Sequence, residues 1–263
     1  MKSILVYTVH KAASMFLHSI SEDVAKEFGI THYSPNNRGD ADIYAEIRRV
    51  SWKAFIENPS HEGCFGPIRA GTADPILPDD LSTFSVVLHL RDPRDVLTSL
   101  YYSNVYNHPR KEGRFNPSDE KRKQWEDEGV DVFVLKQTPT FKQRYETLIS
   151  GLLGKENVTL LKYEDMVTDY STWLNRFLAA FSHLPLPPKR RLGLFSAPNS
   201  VAAVHEQLYQ KYRQDFVPPA EDVHKHIRQL MPGDHERKLA PATIAQLNAE
   251  LDQVLKALDY PVH

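Results

Sequence analysis

Lys11 stands where an apolar run gives way to a helical pattern, in Ser3-Ile4-Leu5-Val6-Tyr7-Thr8-Val9-His10-Lys11-Ala12-Ala13-Ser14-Met15-Phe16. A strand that turns tightly into a helix aims several backbone N–H groups at one point, and a neighbouring ammonium makes that point an anion site. Arg91 follows a second apolar run, Ser85–Leu90, and Tyr163-Glu164 ends a third, Val158–Tyr163. Ligands of open parallel sheets bind beyond the carboxyl ends of the strands, so two cations and an aromatic ring are expected on one rim. That set suits a phosphorylated aromatic ligand such as a nucleotide.

The elements that must position these residues alternate along the chain. Ile4–Val9 reads as a buried strand. Ser14–Phe28 carries Leu17, Ile20, Val24 and Phe28 at helical spacing, with Gly29 as its stop. After Ser85–Leu90, Asp92 is a helix cap with Pro93 at the first helical position and Asp95 in the first turn, and the helix runs towards Asn107. Val132–Leu153 is helical, closed by Gly151 and Gly154. Glu164–Phe181 forms a further helix after the third buried strand, and Pro241 opens one with Ile244, Leu247, Leu251, Val254 and Leu258 on one face. Strands without polar alternation, separated by helices, specify an α/β fold with a central parallel sheet flanked by helices. Arg110–Gly129 and the proline-rich Pro185–Pro198 read as irregular but not as linkers, so residues 1–263 are expected to form a single domain.

Composition bounds the function. The 263 residues are 25% charged and 41% hydrophobic, an ordinary globular balance, and 32 basic against 34 acidic side chains leave a net charge of −2. Neither nucleic acid nor a membrane surface is an expected partner. The single cysteine, Cys64, cannot form an intrachain disulfide and reads as a small, partly buried apolar residue, which fits a reducing compartment. The apolar stretch after Lys2 is too short for a signal peptide or a membrane span, and a cytoplasmic location follows.

No G-x-x-x-x-G-K-[ST] loop is present, and no G-x-G-x-x-G follows the first strand, so a Walker-type kinase or a dinucleotide fold lacks its signature. The chain instead resembles the cytosolic-type sulfotransferases that use 3′-phosphoadenosine 5′-phosphosulfate (PAPS), with their P-loop-like fold. Their T-x-P-K-S-G-T-T-W loop corresponds to Val9-His10-Lys11-Ala12-Ala13-Ser14-Met15-Phe16 beyond Thr8. Their R-[ND]-P-x-D-x-x-x-S-x-Y motif stands as Arg91-Asp92-Pro93-Arg94-Asp95-Val96-Leu97-Thr98-Ser99-Leu100-Tyr101. Y-E-D is Tyr163-Glu164-Asp165, and the C-terminal R-K-G-x-x-G-D-W-K loop is partly kept as Arg228-Gln229-Leu230-Met231-Pro232-Gly233-Asp234-His235-Glu236. The four occur in the family's order.

The resemblance implies roles. Lys11, Ala12, Ala13, Ser14, Met15 and Phe16 would hold the 5′-phosphosulfate, with Lys11 neutralising the leaving group and Phe16 in place of the stacking tryptophan. Arg91 and Ser99 would hold the 3′-phosphate, Arg228 and Gly233 of the C-terminal loop would also bind the cofactor, and Tyr163 would contact the adenine. The family's catalytic histidine has no counterpart in Arg69-Ala70-Gly71-Thr72-Ala73-Asp74-Pro75. Asp74 is the nearest titratable group and can act as base if burial raises its pKa, with His10 and His18 as alternatives. The expected reaction moves a sulfuryl group from PAPS to a hydroxyl of a small molecule, or second to an amine, leaving adenosine 3′,5′-bisphosphate without a metal. A non-catalytic nucleotide-binding relative, or another P-loop-like enzyme such as a kinase, is the alternative. Arg94 reads as a solvated helix residue, His224-x-His226 lacks a third ligand for a metal, and Arg110–Gly129 reads as a solvated loop.

Overall fold

Five strands, β1 (Ser3–Thr8), β2 (Thr31–Tyr33), β3 (Gly63–Arg69), β4 (Phe84–Leu90) and β5 (Val158–Lys162), form one sheet in the order β2-β3-β1-β4-β5. Every pairing is parallel, as the unalternated apolar runs require. The structure, a computed structural model, describes residues 3–34, 45–46, 49–69, 77–107, 117–188, 200–217 and 230–262. Its helices are α1 (Ser14–Phe28), α2 (Trp52–Glu57), α3 (Pro93–Tyr102), α4 (Asp119–Leu152), α5 (Tyr163–Thr168), α6 (Tyr170–Ala179), α7 (Val201–Tyr212), α8 (Asp234–Lys238), α9 (Pro241–Glu250) and α10 (Asp252–Ala257). Among the described residues no helix is long and apolar enough to cross a membrane. Residue contacts divide the chain into two compact units, one of residues 1–90 and 151–214 and one of residues 91–150 and 215–263.

The first unit holds the sheet. Central β1 is buried along its whole length. Leu17, Ile20, Val24 and Phe28 of α1 form the buried stripe that their spacing predicts, and Gly29 ends the helix in the left-handed conformation. Trp173, Leu174 and Phe177 of α6 are buried as well, and Phe28 and Phe177 both pack on Phe181 at 5.5 Å. The segment expected as one helix over Glu164–Phe181 is two, because the Asp169 carboxylate accepts from the Thr172 N–H at 3.1 Å and starts a new helix there. The C-terminal helix from Pro241 is likewise split, at Leu251.

Two strands lie outside what periodicity signals. β2 is a three-residue edge, and β3, Gly-Cys-Phe-Gly-Pro-Ile-Arg, carries residues that ordinarily break strands. Its pairing with β1 slips at Gly66-Pro67, where a bulge accommodates a residue with no N–H to give. The Gly66 carbonyl there meets Nε2 of His32 at 2.8 Å. Cys64 is fully buried, and burial pushes its thiol up to about 12. β5, expected as a fully buried strand, is an edge strand with only Leu161 buried, which its Thr159 and Lys162 suit.

In the second unit Tyr101 of α3 packs edge-on against Phe133 of α4 at 5.4 Å, and Trp125 meets the same ring. The segment 110–129 departs from expectation. From Asp119 onward it is helix, started by Ser118, whose hydroxyl accepts from the Lys121 N–H, and bent at Gly129 (φ 78°, ψ 168°). Its charges form a solvated helical face, with Gln124 and Lys136 both bonded to Glu128.

A Cβ on Gly63 would lie 2.2 Å from the Thr31 carbonyl oxygen in the β2–β3 pairing. Gly63→Ala should therefore cost roughly 1–3 kcal/mol through forced separation of the strands. Urea unfolding midpoints measure this, and an unchanged midpoint would contradict the pairing.

Candidate active site

β1 runs into the loop 9–13, which turns through two left-handed residues that are not glycine, Lys11 (φ 65°) and Ala13 (φ 58°). Ala12 between them is fully buried, and Met15 beyond is 62% exposed. Ala13 is the N-cap of α1 but offers no side-chain bond, and the helix has no acidic residue in its first turn. No side chain caps the amides at that end, and the helix dipole favours an anion there. In the T-x-P-K-S-G-T-T-W pattern glycine occupies the Ala13 position, and φ 58° gives the reason: a side chain in that conformation costs roughly 1–2 kcal/mol. The turn thus takes a left-handed residue at Ala13, where the resembled pattern has the residue that forms such a turn without strain.

One helical turn on, Phe16 lies 5.3 Å from Tyr212, 5.9 Å from Trp173 and 6.0 Å from Tyr170, ring centre to centre. The loop is therefore backed by aromatic rings. His10, exposed before Lys11, is approached at 3.4 Å by the Arg69 guanidinium from the end of β3, so its Nε2 accepts. His18 on α1 stacks obliquely on His32 at 5.1 Å, with its Nδ1 buried. The carboxyl ends of β1, β4 and β5 lie side by side, Thr8 opposite His89 and His89 opposite Leu161. Tyr163, almost fully buried, starts α5 directly after β5.

In the second unit Arg91 is buried, and its guanidinium lies 3.6 Å from the Asp95 carboxylate. The Tyr145 hydroxyl donates to the Arg91 carbonyl at 2.6 Å. Asp92 caps α3 as its position predicts, accepting from the Arg94 N–H at 2.9 Å. Arg94 is not solvated as expected. It is buried, forked on Asp92 (3.0 and 2.6 Å) and bonded to Asn248 at 2.7 Å, because a fixed carboxylate and an amide from the far end of the chain satisfy its donors. Ser99 sits partly exposed on the same helix.

Asp95 is the residue that the sequence reading underrated. Fully buried, it accepts from the Gly233 N–H (2.9 Å), the His235 N–H (3.0 Å) and His235 Nδ1 (2.7 Å). Burial alone would raise its pKa. The His235 hydrogen bond and the Arg91 charge outweigh burial and hold it at about 2, against an ordinary 3.8. Gly233 (φ 78°) caps α8, so the C-terminal loop is fastened to α3, which carries Ser99 and begins just after Arg91. His235 stands where the resembled motif has tryptophan. Asp74, Arg228, His224 and His226 lie outside the described residues. Among the described residues no group of three or more His, Cys, Asp or Glu side chains could hold a metal ion.

A family model described as the sulfotransferase domain matches residues 75–259, well over half the chain. The chain belongs to the sulfotransferase family. Sulfuryl transfer is accordingly its reaction class. A search of curated proteins finds no match. Among solved structures, that of mouse sulfotransferase SULT7A1 complexed with PAP shares the fold, with a TM-score of 0.56 at 15% identity over 99% of this chain and 89% of that one. Retinol dehydratase in complex with retinol and PAP aligns with a TM-score of 0.48 at 12% identity, over 100% of this chain and 83% of that one.

The depressed carboxyl of Asp95 makes a pH test. With a folded pKa below the unfolded one, its contribution is complete above about pH 4 and is lost as pH falls through about 2, on the order of 2 kcal/mol. Asp95→Asn should lower stability at neutral pH and flatten the decline of stability between about pH 4 and 2. Urea unfolding across that range measures it, and equal acid slopes in the two proteins would contradict the assignment.

Proposed function

We propose that the chain transfers the sulfuryl group of PAPS to a hydroxyl, or in second place an amine, of a small-molecule acceptor, with residues 1–263 acting as one sulfotransferase domain. The family match over 75–259 carries this reading, since it contains the Arg91-to-Tyr101 motif and the Gly233 loop. PAP, adenosine 3′,5′-bisphosphate, is the nucleotide held by the two solved structures compared above.

The residues present fit such a donor. The uncapped start of α1 and Lys11 supply amides and a point charge for a 5′-phosphate, with Ala12, Ala13, Ser14, Met15 and Phe16 forming the rest of the loop. Arg91, buried and oriented through Asp95 and Tyr145, offers a planar fork for a 3′-phosphate, with Ser99, Gly233 and Arg228 as further partners. Tyr163 and Phe16 offer ring surface to a base. When bound, PAPS supplies an activated sulfuryl group and a bisphosphate leaving group. Lys11 places positive charge where negative charge grows on departure, so the reaction needs no metal for that purpose. The proton of the acceptor must go to a base, and Asp74 is proposed for it. His10 is the second reading, placed one residue before Lys11; its Nε2 lone pair meets the Arg69 guanidinium, so it takes the proton only if that contact is released. His18, packed on His32, is the weaker alternative. The single buried thiol suits a reducing, cytoplasmic setting.

Adenosine 3′,5′-bisphosphate should raise the melting temperature by mass action, and ATP should do so far less, because the Arg91 site wants a phosphate that ATP lacks. Equal shifts would remove the 3′-phosphate assignment and favour a kinase. In release of the bisphosphate from PAPS with acceptor panels, Lys11→Ala should lose about a hundredfold or more in turnover while unfolding at the wild-type midpoint. Asp74→Asn should lose turnover by a similar factor with nucleotide binding intact. Loss in His10→Asn instead transfers the proton to His10, and no turnover by any protein, wild type included, would leave a nucleotide-binding relative.

A further inference from the structure

The proposed chemistry gives α7 (Val201–Tyr212) no task, yet this helix is fastened at several points to α1, the helix that follows Lys11. Its buried stripe is Val204, Leu208 and Tyr212, the spacing of one helix face. Gln207 donates to the Glu27 carboxylate at 2.7 Å, and Lys211 Nζ and the Tyr212 hydroxyl both donate to Oδ2 of Asp23 at 2.5 Å. Glu27, Asp23 and Phe16 follow one another along one stripe of α1, one turn and then two turns apart. α7 therefore runs antiparallel to α1, and its last residue, Tyr212, arrives beside the first turn of α1. There its ring meets Phe16, 5.3 Å centre to centre and nearly perpendicular at 86°. α6 holds α7 too, with Tyr209 stacked on Tyr170 at 6.0 Å.

The buried Tyr212 ring is fixed by what surrounds it. Its hydroxyl is tied to Asp23, the Lys211 ammonium lies 5.0 Å over its face, and that ammonium is tied to the same carboxylate oxygen. Phe16 turns about two torsions, and a ring that stacks on a flat ligand gains from having both set beforehand. It stands where the resembled pattern has tryptophan. Its smaller ring gives a base less surface, so misorientation costs a larger share of the contact. We propose that Tyr212 is a positioning residue for base recognition: tied to Asp23, it sets the tilt of the Phe16 ring so that a purine can stack there. Asp23 and Lys211 act one step further out, by holding Tyr212. The proposal rests on the reading of the site as one for PAPS. Tyr170 and Trp173 support the same ring from α6, and Tyr212 adds a third wall from α7.

The test compares two ligands by calorimetry: adenosine 3′,5′-bisphosphate, and methyl riboside 3,5-bisphosphate, in which a methoxy group replaces the base. The ratio of their affinities reads what the base contributes. Tyr212→Leu should lower that ratio about three- to tenfold, the effect of freeing one side chain, with affinity for the base-free ligand unchanged. Tyr212→Phe keeps the ring and loses the tie to Asp23, and should lower the ratio about twofold or more. Asp23→Asn keeps an oxygen that accepts from the Tyr212 hydroxyl and should stay near wild type. A wild-type ratio in Tyr212→Leu would overturn the proposal. Equal losses for both ligands would overturn it too, since α7 would then serve the fold at large. If Tyr212→Leu fails to fold, Tyr212→Phe decides, and a wild-type ratio there overturns the proposal. Binding of neither ligand by the wild type removes the proposed function itself, and with it the base that Phe16 would meet.

Discussion

A single carboxylate organises the second unit. Asp95 is buried on the first turn of α3, and a buried charge without partners would be too costly to keep. It is kept because two backbone amides, an imidazole and a guanidinium converge on it. The same bonds do structural work in three directions. They fasten the loop at Gly233 to α3, they set the orientation of Arg91, and they fix which nitrogen of His235 carries a proton. Asp92, three residues earlier, holds Arg94 in a parallel way, so α3 begins with two ion pairs inside protein rather than in water. The guanidinium proposed to meet a phosphate is in this way aimed before any ligand arrives, which is how binding energy escapes the entropy of ordering a free side chain.

The loop after β1 faces the opposite problem. Its side chains are poor in hydroxyls and its turn holds alanine where glycine would sit without strain, so its shape must come from what surrounds it. Burial of Ala12 and the aromatic rings about Phe16 are the available constraints. Lys11 and the amides of α1, which no side chain caps, are then the groups proposed for the chemistry, with backbone in place of threonine hydroxyls.

The sheet's central strands, the helix Ser14–Phe28 and the cap at Asp92-Pro93 were legible because each is local: an unbroken apolar run, a helical stripe, or an oxygen that meets an amide two residues on. β3 was not, since its glycines and proline read as breakers and only the bulge against β1 explains them. Arg94 was misread for the same physical reason. Its local surroundings are those of a surface helix, but Asn248, which completes its burial, is 154 residues away. Lys11, Arg91 and Gly233 are proposed from spacing and resemblance. Asp95 was legible only as a first-turn acid within the motif, and His235 carried no signal of its own, because a buried ion pair is visible only once both partners are in place.

The central claim is that Lys11 with the start of α1, and Arg91 on its Asp95 support, each hold a phosphate of one nucleotide. A crystal structure of the protein with adenosine 3′,5′-bisphosphate tests it most directly. The account predicts the 5′-phosphate within hydrogen-bond distance of Lys11 Nζ and the first amides of α1, and the 3′-phosphate on the Arg91 guanidinium. A nucleotide whose phosphates contact neither Lys11 nor Arg91 would contradict it.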